Sequence, residues 1–333
     1  MSCYDFFAEF ALEKWMSMIE HAANATGWKY TALQDAPWTM RAQVLATGLA
    51  EDKNFSELIR AGNKRKNIGG YPKLIKNTAP FPSSASFDIA ALCAPTSNCL
   101  RGLPDGSCLL RIDVKSRRPF TSKDDLAFYP ISNPLKREWV FQTPYLAATG
   151  VKGLLRWAWR MCFDDSEKTR ETLLFGPHSE ELKAGDGLAG CLYTWPLFWR
   201  GKVGLETLNP HDRLSGAGKD PVKYEIVEAG ATAGIWLLLL NRQMEEAAGF
   251  LAKTVPPVLE ALCHLLTESG LSAKRSADWG TVEVTAAEAW IKDMHAPGPS
   301  AAKSIKCSEE KKFLYDLNAW LSAQFSEQED SRE

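Results

Sequence analysis

Several common signatures are missing from this sequence. The eight cysteines, at 3, 93, 99, 108, 162, 191, 263 and 307, include no C-x-x-C pair, which argues against a dithiol redox site. No Gly-rich nucleotide loop, zinc ligand set or G-x-S-x-G elbow occurs, so the usual phosphate-cradling, metal and nucleophile motifs are absent. The formal net charge is only −2, and charge alone does not mark a nucleic-acid binder. No run approaches the roughly 18 apolar residues that a membrane span needs. The start, "MSCYDFFAEF", lacks the basic residues and apolar run of a signal peptide. The expectation is a cytoplasmic protein with free thiols, no membrane partner, no metal and no cofactor.

What is present is an ordinary globular composition, 45% hydrophobic and 24% charged over 333 residues, enough to build a normal core. Charge is distributed unevenly. Arg111 to Arg160 holds ten Lys/Arg against four Asp/Glu, while the chain closes on the polar, acidic "SEQEDSRE".

Periodicity divides the chain into regions. "YDFFAEFALEKWMSMIEHAANATG" carries apolar residues at helical spacing up to Gly27, and "APWTMRAQVLATGLAEDKNFSELIRAG" reads as two short helices. Residues 62–107, rich in Gly, Pro, Ser and Lys, read as irregular. From there the pattern predicts a strand at 108–116, a Pro-rich connection at 117–148 and a helix at 150–163. It continues with strands at 188–199 and 233–241, a helix at 245–270 broken near Pro256 and Pro257, and a strand at 278–290. The order β-α-β-β-α-β is that of the ferredoxin-like unit. The expected fold is therefore α+β. Residues 1–107 would be a helical and irregular N-terminal extension. Residues 108–290 would be a ferredoxin-like (RRM-like) core with a long inserted loop, and 291–333 a helical, acidic tail.

"TGVKGLLRWAWR" (149–160) is the most informative stretch. Thr149 is placed to cap the helix, and a helix start attracts phosphate. Lys152, Arg156 and Arg160 recur every four residues and share a face. The same spacing also describes a solvated amphipathic helix. The preceding loop interleaves Arg117, Arg118, Lys123, Lys136 and Arg137 with Phe120, Phe128, Tyr129, Trp139 and Tyr145. Cations hold phosphates and aromatics stack on bases, so this content suits single-stranded RNA; a packed, charged surface loop reads the same way. Lys64, Arg65, Lys66, Lys73 and Lys76 form a further basic stretch, for RNA or for a neighbouring subunit. Trp15, Trp28 and Trp38 before it suit either a core or an interface.

The chain resembles the RAMP superfamily, the CRISPR effector backbone subunits. "PISNPLKREWVFQTPYLAATGVKGLLR" (130–156) is similar to the segment that ends in their "P-x-x-S-x-K-G-x-x-R" signature. "LLFG" (173–176) resembles their "LFG" element, and "ETLNPHDRLSGAGKDPVKYEIVEAG" (206–230) their "N-x-x-D-R-x-T-G" segment. "KRSADWGTVEV" (274–284) stands in for their late glycine-rich loop and keeps one glycine, Gly280. The resemblance spans roughly 108–290.

It implies a ferredoxin-like palm with a projecting thumb, stacked beside other effector subunits along a guide RNA. It implies that Lys152, Gly153 and Arg156 lie near the guide backbone, with Arg213 in a phosphate-contacting or loop-anchoring role. The 117–148 connection would separate bases of the guide–target duplex. Nuclease-competent relatives carry an aspartate just before "NP" in this loop; here Ser132 stands there, and serine supplies no carboxylate for metal or proton chemistry. The expected role is a non-cleaving binder of guide RNA in a type III-like effector complex, with target RNA as a further partner. Two alternatives stay open. One is an endoribonuclease working through Asp124, Asp125 or His211, with a divalent metal. The other is a protein adaptor at one end of the complex.

Overall fold

In the computed structural model, the described residues are 38–47, 53–62, 70–77, 88–124, 129–177, 189–211, 215–292 and 299–306, with single positions at 316 and 319. The first part of the chain contributes α1 (Trp38–Thr47), α2 (Lys53–Ala61), α3 (Gly70–Asn77) and α4 (Ile89–Cys93). Then come β1 (Cys108–Ser116), β2 (Tyr145–Leu146), α5 (Ala148–Cys162), α6 (Lys168–Phe175), β3 (Leu192–Thr194) and β4 (Leu197–Phe198). The remainder is β5 (Val203–Leu208), β6 (Val222–Val227), β7 (Thr232–Leu239), α7 (Ala247–His264), β8 (Val282–Lys292) and β9 (Pro299–Lys306). The result is a mixed α+β protein with antiparallel sheets. Among the described residues no helix is long and apolar enough to cross a membrane.

The chain forms two compact units. The larger comprises 84–122, 137–201 and 228–333, and is built on a five-stranded sheet ordered β3-β7-β1-β8-β9. Pairing with β7 on one side and β8 on the other puts β1 at its centre. Leu110, Ile112 and Val114 are buried on one face, while Arg111, Asp113 and Lys115 occupy the other. β7 repeats the pattern with Ala233, Ile235, Leu237 and Leu239 buried. α5 buries Val151, Leu155, Ala158 and Trp159, an i, i+4, i+7, i+8 stripe. It packs against α7, whose Phe250, Leu251, Val255, Val258, Leu259 and Leu262 are also buried.

Several expectations change here. α7 runs through Pro256 and Pro257 without a break. Their missing N–H groups would have bonded the carbonyls of Ala252 and Lys253, and both of those residues are exposed, so water can take the orphaned acceptors. The segment 188–199 is two short strands separated at Trp195–Pro196. Within 291–333, where a helical tail was expected, Pro299–Lys306 is a strand paired with β8. Pairing to an existing edge outweighs the weak strand propensity of "PSAAKSIK". Phe120, offered above as a stacking residue, is buried against Trp199 at 5.0 Å between ring centroids.

Gly280 has a packing reason to be glycine. Its φ is +84°, and a Cβ would lie 2.4 Å from the Ser272 nitrogen. That approach lets Gly280 accept from the Leu271 N–H at 2.9 Å while its own N–H donates to the Pro119 carbonyl at 2.8 Å.

The smaller unit comprises 1–83, 123–136 and 202–227. The two short helical runs expected near its start are α1 and α2. α3 arises inside the stretch read as irregular, because Tyr71, Leu74 and Ile75 make a buried i, i+3, i+4 face among its lysines. β5 and β6 form a hairpin absent from the β-α-β-β-α-β expectation. Its Glu225 is fully buried and accepts from the Tyr71 and Tyr129 hydroxyls and from the Leu135 N–H. Three donors satisfy a polar group that would otherwise be costly to bury.

Candidate nucleic-acid interface

The α5 helix has two faces, and the solvent-facing one is the candidate. The helix begins two residues earlier than expected, with Ala147 at its N-cap and no side-chain capping bond. Thr149 therefore sits in the first turn rather than at the cap. With 151, 155, 158 and 159 committed to the core, Gly153, Trp157, Arg160 and Met161 are exposed, and Lys152 and Arg156 are half-buried at the edge of that face.

The three cations are held in different ways. Lys152 donates to the Leu192 carbonyl at 2.8 Å and lies 5.9 Å from the centre of the Tyr193 ring. Burial, with a further push from Arg156, keeps its ammonium below the usual lysine pKa. Arg156 and Arg160 converge on one carboxylate, Glu171 of α6. Arg156 Nε donates to Glu171 Oε1 at 2.6 Å; Arg160 donates through Nε at 3.0 Å and through Nη2 at 2.6 Å. The Glu171 side chain is only 11% exposed. Burial alone would raise its pKa, but the hydrogen bonds and charges of Arg160 and Arg156 win and hold it below the usual carboxylate value. The helix thus holds an anion from its own chain. Glu171 pairs with two of the three cations, and Lys152 is held by a carbonyl instead.

Gly153 and Trp157 complete the face. Gly153 is exposed, and a Cβ there would meet nothing within 4 Å. A helical glycine costs about 1 kcal/mol relative to alanine, and nothing inside the protein requires one here. Trp157 keeps 37% exposure and Met161 59%. Arg275, from the late loop, lies over the Trp157 ring at 4.0 Å, a cation–π arrangement.

The other sequence candidates are dispersed. Arg117 and Arg118 are exposed just after β1, and Arg137 is half-buried. Trp139 and Val140 are 80% and 76% exposed at the tip of a turn whose N–H groups at 140 and 141 donate to the Glu138 carboxylate. Lys123 and Lys136 belong to the smaller unit, where Lys123 bridges to Leu135. So do Asp124, half-buried, and His211, exposed and bridged to Gly218. Ser132 is exposed. Asp125, Phe128, Arg213, Lys64, Arg65 and Lys66 lie outside the described residues. Among the described residues no group of three His, Cys, Asp or Glu is placed to hold a metal.

Sequence reasoning missed Glu171 and Arg275. Glu171 had a legible signal: with Leu174 and Phe175 it forms an i, i+3, i+4 set, which puts a carboxylate at a core-facing position that needs a cation. Arg275 carried none, since its partner Trp157 is distant in sequence.

The family model that describes the RAMP superfamily matches residues 59–282. The chain belongs to the RAMP superfamily. The match covers α5, the late loop and the β5–β6 hairpin. A comparison with curated proteins gives no match. Among solved structures, this RAMP chain is similar to a chain of the type III-B Cmr-beta complex bound to cognate target RNA. That likeness has 12% identity and a TM-score of 0.49, and covers 89% of this chain and 99% of that one. It is also similar to a chain of a CRISPR RNA-guided surveillance complex, with 12% identity, a TM-score of 0.41, and 57% and 71% covered. A third is a chain of the Csm3–Csm4 subcomplex of a type III-A interference complex, with 12% identity, a TM-score of 0.38, and 65% and 98% covered.

Proposed function

We propose that this protein is a guide-RNA-binding structural subunit of a type III-like CRISPR effector complex, located in the cytoplasm and without cleavage activity of its own. RAMP membership supports the class. The observation that carries the RNA role is Gly153. It is exposed, with open space where a side chain would be, and Lys152 and Arg156 flank it within the family-signature stretch. A missing side chain beside cations lets a phosphodiester backbone approach a helix closely, and contacts of this kind supply affinity without reading sequence. The sequence is left to base pairing between guide and target. Ser132, exposed where nuclease relatives carry an aspartate, supports the non-cleaving part of the reading.

The palm assignment follows the connections of the larger unit. β1 leads through α5 to β3, β3 and β7 pair antiparallel, and β7 leads through α7 to β8. With the strand order β3-β7-β1-β8, this supports a ferredoxin-like, RRM-like βαββαβ core.

The test is purification of the protein with its associated complex from the native host, followed by sequencing of retained RNA. Short repeat-derived RNAs should be recovered, and Lys152→Ala combined with Arg156→Ala should lower their retention at least tenfold. RNA-free protein, before and after reconstitution with partner subunits, would overturn the reading. RNA cleavage in added divalent metal that Asp124→Asn abolishes would instead favour the endoribonuclease.

A further inference from the structure

We infer that the larger unit carries a second, separate ligand site: a pocket for one unpaired nucleobase on the polar face of the five-stranded sheet. The inference takes RNA as the source of the base from the proposed function; the pocket itself is argued from geometry.

The register builds the pocket. Asp113 of β1 stands directly opposite Gly234 of β7, and Arg111 directly opposite Trp236. Directly paired residues project to the same face, so a carboxylate, a guanidinium, an indole and an empty position meet there. Gly234 is the floor. A Cβ built on it would lie 3.3 Å from Asp113 Oδ1 and 3.6 Å from Trp236 Nε1. Above it is a cavity of about 210 Å³, whose walls include Phe198, Arg200 and the alanines of α4. Arg200 is fixed twice: its backbone bridges to Thr232, and its side chain pairs with Asp88, which caps α4. Arg111 pairs with Asp113 at 3.0 Å and with Glu288 at 3.4 Å, and lies 5.4 Å from the Trp236 ring centre. Trp290 stacks on Trp236 at 5.9 Å and 14°, which holds the indole in place. The rim stays within reach of solvent, with side-chain exposures of 38% for Arg111, 29% for Asp113 and 48% for Arg200.

Size and chemistry select the occupant. Sites for drug-sized molecules run to roughly 300–1,000 Å³; this one is smaller and has room for a single planar ring system. Phosphate is a poor match, because the Asp113 carboxylate at the floor would repel it and the two lining arginines already pair with carboxylates. A purely aliphatic group would desolvate charges without bonding them. A nucleobase has a flat aromatic body and an edge that mixes donors and acceptors. It meets aromatic walls at Trp236 and Phe198, an acceptor at Asp113 and donors at Arg111 and Arg200. Extrahelical bases are commonly recognised in this way, by stacking together with edge hydrogen bonds.

The test uses the full chain and calorimetric titration with adenosine, guanosine, cytidine and uridine, with ribose 5-phosphate as the control. At least one nucleoside should bind and ribose 5-phosphate should not. Gly234→Ala adds one methyl group to the floor, 3.3 Å from Asp113 Oδ1, and Trp236→Leu removes the indole. Each should weaken nucleoside binding at least tenfold. The inference is overturned if none of the four nucleosides binds, if ribose 5-phosphate binds as tightly, or if the Gly234→Ala protein, folded by circular dichroism, binds as well as the parent. A co-purifying protein subunit lost on Gly234→Ala, without nucleoside binding, would overturn it in favour of a protein side chain. Nucleoside binding by a chain that retains no RNA would support the pocket and reject the proposed function; RNA retention without nucleoside binding would do the reverse.

Discussion

Glu171 shows how one buried carboxylate organises the cationic helix face. It accepts from two arginines one helical turn apart, so removing it leaves two guanidiniums without their shared anion. Glu171→Gln keeps the shape and deletes the charge. It should destabilise the protein by about 1.5–3 kcal/mol at pH 7, the usual scale for hydrogen bonds to charged groups, measured as a shift in urea midpoint. Since the folded-state pKa of Glu171 is depressed, its contribution is present above the unfolded carboxylate value of about 4.3. It is lost as pH falls through the lower folded value. The gap between parent and variant should therefore narrow on acidification below about pH 4. Gly153 makes the opposite kind of prediction. Alanine there meets nothing within 4 Å and has the better helix propensity, so Gly153→Ala should stabilise by up to about 1 kcal/mol. If RNA approaches at that point, the same variant should bind RNA more weakly. A higher melting temperature with weaker binding is an outcome that a purely structural glycine would not produce.

At the scale of elements, the strongly periodic segments were legible in advance. β1 falls on the expected 108–116, and α5 differs from the expected helix by a residue or two at each end. These elements report their own environment: alternation or a 3.6-residue stripe is enough to say which face is buried. The failures have particular causes. α7 passes through two prolines because the carbonyls that lose partners sit beside exposed residues. α3 is short, and its buried Tyr71, Leu74 and Ile75 are scattered among Gly, Pro and Lys. β9 has almost no apolar alternation and exists as a strand through its pairing with β8.

For the whole molecule, a net charge of −2 rules out binding RNA by bulk attraction. Any affinity must come from local faces such as that of α5, and few phosphates would be neutralised. For single-stranded RNA the logarithm of the binding constant should fall with the logarithm of salt concentration at about −0.7 per phosphate contact. Three α5 cations, less the one charge that Glu171 neutralises, predict a slope of about −1.4, which filter binding across a salt series would measure. Lys152→Ala should reduce the slope by roughly 0.7. A slope near zero would remove the electrostatic interface at α5.

The sequence alone determined which segments alternate and which are helical, that Lys152, Arg156 and Arg160 share a face, and that the chain resembles the RAMP superfamily. Each of these is written in neighbouring residues or in local spacing. Tertiary structure decided what those residues meet. It brought Glu171 beneath the arginines, laid Arg275 over Trp157, and set Gly234 opposite Asp113 to open a cavity. These partners lie 11 to 121 positions apart in sequence. Strand register, helix packing and loop return bring such groups together, and none of the three is encoded within one short window of the chain.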